Sequence, residues 1–146
     1  LHRAFSYEQA FNVMRRLKLP YSDAEEMFRR MVLNVIIRNQ DDHTKNISFL
    51  MDEDGIWKLS PAYDMGYSYN PNGGWTSTHQ MSINGKFDEI NRKDLLKCGV
   101  VNNIKNASII IDEICDTASS WPTIAKECDV PENIIEKIFN NFLIHI

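Results

Sequence analysis

Asp41 and Asn46 stand five positions apart in "RNQDDHTKNISFL" (residues 38–50), and Asp64 and Gly66 follow in "YDMG" eighteen residues after Asn46. Two carboxylates and a carboxamide make a set of hard oxygen donors. Mg²⁺ favours such donors, takes one or two carboxylates from a protein, and leaves its other positions to phosphate and water. Phosphoryl transfer from a nucleotide asks little covalent chemistry of a protein. It asks for an oriented hydroxyl and a held metal. Asn46 and Asp64 suit the metal, and Asp41 suits the general base that accepts the hydroxyl's hydrogen bond. Polar runs after helices are also commonly solvated loops, so Asp41 alone carries little weight; its spacing to Asn46 and Asp64 carries more. Asp42 is the second choice for the base. His43 reads as a brace for the loop, with proton transfer as the alternative. For Lys45, contact with a transferred phosphate, neutralisation of the carboxylates and simple solvation all remain open. Arg38, at a helix C-terminus, suits the macrodipole.

These residues need elements to hold them. Ser6 and Gln9 form an S-x-x-Q capping box ahead of Tyr7, Ala10, Phe11, Met14 and Leu17, which recur at helical spacing until Pro20. A second box, Ser22 with Glu25, opens a longer helix striped with Ala24, Met27, Phe28, Met31, Val32, Val35 and Ile36, which delivers the chain to the polar run. "NISFLMDEDGIWKLSPAYD" reads as a β-hairpin, residues 47–51 and 56–59, with Asp54-Gly55 in the turn and Pro61 closing the second strand. Residues 67–85 read as a long loop with a short strand at 81–83; for its Trp75 and His79, substrate contact or packing are both open. Three helices follow: 92–97 with Asn91 as N-cap and Gly99 past its end, 104–120, and 132–143 behind Pro131. Trp57 and Trp121 are assigned to packing. The expected class is mainly α, a helical bundle with one small hairpin at the candidate site.

The chain has 146 residues, 43% hydrophobic and 25% charged, enough for one domain with a core. A net charge of −4 argues against a basic nucleic-acid groove, so no direct nucleic-acid binding is expected. The 3 cysteines form no CxxC pair, which disfavours a disulfide framework and fits a reducing compartment. No apolar run is long enough for a membrane span, and "LHRAFSYEQ" has no signal-peptide core. The expectation is a cytoplasmic protein. Without an initiator methionine, the chain reads as a processed product or an excised piece.

The combination "NVIIRNQDDHTKNISFL" and "KLSPAYDMGYSY" resembles the C-terminal lobe of the HipA-like serine/threonine kinases, the toxins of bacterial toxin–antitoxin pairs. The D-x-H-x-K-N motif stands as Asp41, His43, Lys45 and Asn46, and the P-x-Y/F-D motif as Pro61, Tyr63 and Asp64. The resemblance covers most of the chain and implies a kinase-like C-terminal lobe over residues 1–146. It also implies Asp41 as catalytic, Asn46 and Asp64 as Mg²⁺ ligands, and His43 and Lys45 on the nucleotide side. ATP would be the phosphate donor and a protein serine or threonine the acceptor. An aminoacyl-tRNA synthetase is the target for some members. A HipB-like antitoxin would be the partner, itself the DNA binder.

The family's N-terminal lobe supplies a glycine-rich phosphate loop and a nucleotide-gripping lysine. No GxGxxG or GxxxxGK string occurs here, and "NPNGG" (70–74) follows the metal motif. The expectation is a half-site that binds Mg·ATP weakly and transfers no phosphate alone. Two rivals differ in class. One is a two-metal hydrolase using Asp41, Asp42, His43, Asp64 and His79. The other is a non-catalytic helical module that binds an antitoxin or regulates a kinase. An upstream reading frame encoding a glycine-rich loop would indicate a split kinase.

Overall fold

The protein's structure, a computed structural model, describes residues 4–146; the first three residues of the stretch weighed as a signal peptide lie outside it. Strand β1 (Phe5–Ser6) runs straight into helix α1 (Tyr7–Arg16). The expected capping box is formed: Ser6 Oγ accepts from the Gln9 N–H at 3.1 Å and Gln9 Oε1 accepts from the Ser6 N–H at 2.9 Å. Helix α2 (Tyr21–Ile36) begins earlier than the Ser22–Glu25 box requires. Pro20 is its N-cap and its carbonyl accepts from the N–H groups of Asp23 and Ala24, so Ser22 lies inside the first turn and caps nothing. The fixed φ of proline serves the helix entry in place of a side-chain oxygen.

Helix α2 is the spine. Met27, Phe28, Met31, Val32, Val35 and Ile36 along it are essentially fully buried. Its end is a Schellman turn: Arg38 N–H donates to Val35 C=O at 3.3 Å and Asn39 N–H to Asn34 C=O at 2.9 Å. Arg38 occupies the left-handed position at φ 57°, where glycine is usual. Its guanidinium does not serve the macrodipole alone as expected: Nε donates to the Asn141 carbonyl at 3.2 Å and the group lies 4.7 Å from the Tyr69 ring centroid.

The hairpin is present as β2 (Phe49–Met51) and β3 (Trp57–Leu59), antiparallel, with Phe49 opposite Leu59. Asp23 on α2 accepts from the Leu59 N–H at 2.8 Å and so ties the hairpin to the spine. Strand β4 (Met81–Ser82) pairs in parallel with β1, Phe5 opposite Met81. The described residues are therefore helical with two small two-stranded sheets: the expected hairpin, and the expected short strand at 81–83, which pairs with β1.

Helix α3 (Arg92–Val101) runs through Gly99 instead of stopping before it. A Cβ on Gly99 would meet Ala107 Cβ at 2.9 Å, so the glycine is there for the close approach of the next helix, α4 (Ala107–Ser119). That helix starts after the expected Ile104, which is buried in the connection. A helix absent from the sequence reading, α5 (Trp121–Glu127), carries Pro122 in its first turn, a position that tolerates proline. Helix α6 (Glu132–Phe139) is shorter than the expected 132–143. Residues after it turn back, and Leu143 N–H donates to the Ile36 carbonyl at 2.8 Å. Phe142, Leu143, Ile144 and Ile146 pack on the core in this returning segment. Trp121 does pack, 6.0 Å from the Phe142 ring centroid.

Candidate active site

The polar run leaves the α2 Schellman turn as a short extended segment. Asn39 bridges Ser68 in parallel, with Gln40 N–H donating to Ser68 C=O at 2.9 Å and Ser68 N–H to Arg38 C=O at 3.1 Å. The backbone before Asp41 is thus clamped to the backbone after Asp64. A 3-10 turn, Thr44–Asn46, then folds the chain toward the hairpin.

Asp42 sets the loop from beneath. It is 3% exposed and its carboxylate is saturated: Oδ2 accepts from the Tyr7 hydroxyl and pairs with His79 Nδ1, each at 2.8 Å, and Oδ1 accepts from the Gln80 N–H at 2.9 Å. Tyr7 in turn accepts from Asn34 Nδ2 at 3.0 Å, Asn34 Oδ1 accepts from Asn39 Nδ2 at 2.9 Å, and Asn39 Nδ2 also reaches the Asp64 carbonyl at 3.3 Å. Burial, and then the Asp42 charge beside it, push the Tyr7 hydroxyl well above its ordinary pKa, so it remains a donor. Asp42 is therefore a brace and not a second candidate base. His79 is 2% exposed inside that brace, so it faces no substrate.

Asp41, next in sequence, is half-buried and faces outward. Its Oδ1 accepts from Trp75 Nε1 at 2.7 Å. Its carbonyl accepts from Asn46 Nδ2 at 3.2 Å, which engages the amide's N–H side and leaves Oδ1 of Asn46 as its acceptor. His43 does not brace the loop as expected: Nε2 lies 4.0 Å from Asp41 Oδ1, beyond hydrogen-bond range, and Nδ1 is buried without a partner. The bracing falls to Asp42.

Asn46, Asp64 and His43 line one narrow cleft, together with Asp42, Asn39 and Tyr63. Asp64 is exposed and holds a left-handed backbone at φ 54°. Aspartate tolerates that region better than most residues, and such conformations gather at functional sites. Tyr63 fixes its neighbour's approach: the hydroxyl donates to the Lys45 carbonyl at 2.8 Å and contacts the Ser48 hydroxyl. Lys45 itself is exposed on the 3-10 turn, and neither it nor Asp41 is among the cleft's lining residues.

The donor chemistry fits one Mg²⁺ shared with a nucleotide. It offers one carboxylate and one amide oxygen on a common cleft, the few protein ligands that Mg²⁺ takes when phosphate and water complete its octahedron. It does not fit a protein-only metal cage: among the described residues no group of three or more His, Cys, Asp or Glu is arranged to hold a metal. The two-metal hydrolase loses its ligands Asp42 and His79 to each other. Tyr7, Asn34, Asn39 and Gln80, which hold the loop, escaped the sequence reading. Tyr7 passes for one member of an apolar stripe, and its partner Asp42 lies 35 positions away.

A family model, HipA-like C-terminal domain, matches residues 1–142. The chain belongs to the HipA-like C-terminal domain family. No curated protein and no solved structure matches it. No helix among the described residues is long and apolar enough to cross a membrane.

Proposed function

We propose that this chain is the catalytic half of a HipA-like protein serine/threonine kinase, a kinase-like C-terminal lobe acting in the cytoplasm. The observation that carries the reading is the meeting of Asn46 and Asp64 on one cleft, with Asp41 tied to Asn46 through its own carbonyl. Asn46 and Asp64 would hold Mg²⁺, which would neutralise charge on the ATP phosphates. Asp41 orients the acceptor hydroxyl: the oxygen bonds to the γ-phosphorus, the bond from that phosphorus to the bridging oxygen breaks, ADP leaves, and the hydroxyl proton passes to Asp41. Lys45, exposed on the turn between Asp41 and Asn46, would meet the phosphate being transferred, and His43 would bind on the nucleotide side. The protein substrate, an aminoacyl-tRNA synthetase in some of the family, and a HipB-like antitoxin are the partners this reading brings.

The test is ATP titration of the isolated chain with and without Mg²⁺. Metal-dependent binding that Asp64→Ala removes is expected, with no phosphate transfer until a glycine-rich nucleotide lobe is supplied. In that transfer-competent form, Asp41→Asn should lower transfer by at least about a hundredfold with the fold intact, as loss of a positioned base does. Normal activity in both variants would overturn the assignment.

A second reading, a non-catalytic module that binds an antitoxin or regulates a kinase, draws on a different surface. Phe5, Val13, Ile47, Phe49 and Met81 line an apolar groove of about 410 Å³ beside α1. Antitoxin binding that persists without ATP and is lost on Val13→Asp would favour it.

A further inference from the structure

Resting on the assignment of Asp41 as the base, we propose that Trp75 is its positioning residue. The indole N–H holds Oδ1 and so presents Oδ2 to the acceptor hydroxyl. The contact is 2.7 Å, short for an N–H donor and typical of one aimed at a carboxylate. An indole N–H can only donate, so the interaction has one polarity and fixes one rotamer of the aspartate. His43, the other side chain near that oxygen, is too distant at 4.0 Å to do the same.

Trp75 is itself held in register with the loop it serves. Gln80 Nε2 donates to the Trp75 carbonyl at 2.6 Å and to the Gln40 carbonyl at 3.0 Å. The Gln80 N–H donates to Asp42 at 2.9 Å. One buried glutamine therefore grips the tryptophan's backbone, the residue before Asp41 and the residue after it. Gly74, at φ 89°, makes the turn that brings Trp75 over Asp41, and Ser77 Oγ donates back to the Gly74 carbonyl at 3.0 Å. Trp75 and Asp41 are 34 positions apart in the chain, yet they belong to one hydrogen-bonded circuit. An aspartate whose carboxylate swings is a poor base for an in-line attack, because reacting atoms must be oriented as well as near.

The experiment replaces the Trp75 indole with benzothiophene, which keeps the fused ring and removes only the N–H, and compares it with Trp75→Phe and Asp41→Asn in the transfer-competent form. With Asp41→Asn inactive, the expected result is a kcat about tenfold lower in both Trp75 variants. KM for ATP and the melting temperature should be unchanged in the benzothiophene protein. A wild-type kcat in the benzothiophene protein beside an inactive Asp41→Asn overturns the role of Trp75 and leaves the kinase reading intact. Full activity in Asp41→Asn overturns both.

Discussion

Adjacent aspartates divide the work at this loop. Asp41 is half-buried, with one oxygen held by Trp75, and Asp42 is enclosed with all its neighbours donating to it. The two should respond to mutation in opposite ways. Asp42→Ala leaves Tyr7, His79 and the Gln80 N–H without their acceptor, and unsatisfied buried groups of this kind cost about 3 kcal/mol together. Its thermal or urea midpoint should fall clearly, whereas Asp41→Asn should unfold close to wild type. Equal midpoints for the two variants would mean that Asp42 is not the brace. The spacing to Asn46 and Asp64 favours Asp41 in the sequence and leaves Asp42 as second choice. Nothing in the sequence distinguishes Asp42 as structural, because its three partners come from residues 7, 79 and 80.

Among the elements, α3 shows how local chemistry sets a helix start. Asn91 caps Asp94, and Asp94 Oδ2 accepts in return from the Asn91 N–H at 3.0 Å and from Lys86 Nζ at 2.9 Å, while Oδ1 accepts from Asn84 Nδ2 at 2.8 Å. Burial raises the Asp94 pKa, but the bonds from Asn84, the Asn91 backbone and Lys86 outweigh it and leave the group below its ordinary value of 3.8. A carboxylate depressed in the folded state stabilises above its unfolded pKa and loses that contribution as pH falls through the folded one. Asp94→Asn should therefore destabilise by about 1 kcal/mol at neutral pH, the scale of a lost cap. Denaturant melts at descending pH should show the gap closing below about pH 4, where the unfolded carboxyl takes up its proton; a pH-independent gap would sink this account. The sequence carries such caps well: Ser6–Gln9 and Asn91 are legible because their partners lie within one turn. It carries α5 and the early start of α2 poorly. Pro122 and Pro20 look like breaks until it is known that each sits at the opening turn of a helix.

Over the whole molecule, the fold is a way of gathering residues from distant parts of the chain at one loop. The helical class and the hairpin are readable from periodicity and turn residues. The strand at 81–83 is legible but its parallel partner β1 is not, since a two-residue strand leaves no pattern. The apolar spacing of Phe142 and Leu143 continues the α6 stripe and so reads as helix, although the chain turns back there. That returning C-terminal segment has weight, because Leu143 donates to the last carbonyl of α2 and Asn141 accepts from Arg38. Removing residues 141–146 should loosen the Arg38–Asp42 loop well before it unfolds α2. Amide exchange is the measurement: protection at Gln40 and Ser68 should drop while that of Met31 and Val32 changes less. Uniform loss across both groups would mean that the segment serves only the core.

The same bond sets an order of events during synthesis. The Ile36 carbonyl meets its Leu143 partner across 107 residues, and Arg38 meets Asn141 across 103. A ribosome adds roughly 5–20 residues per second, so for several seconds the nascent chain holds every residue of the polar run without the clasp that sets its entry. The loop is completed only when residues 141–143 have emerged, and a chain interrupted before that point carries the full motif in an unfinished frame.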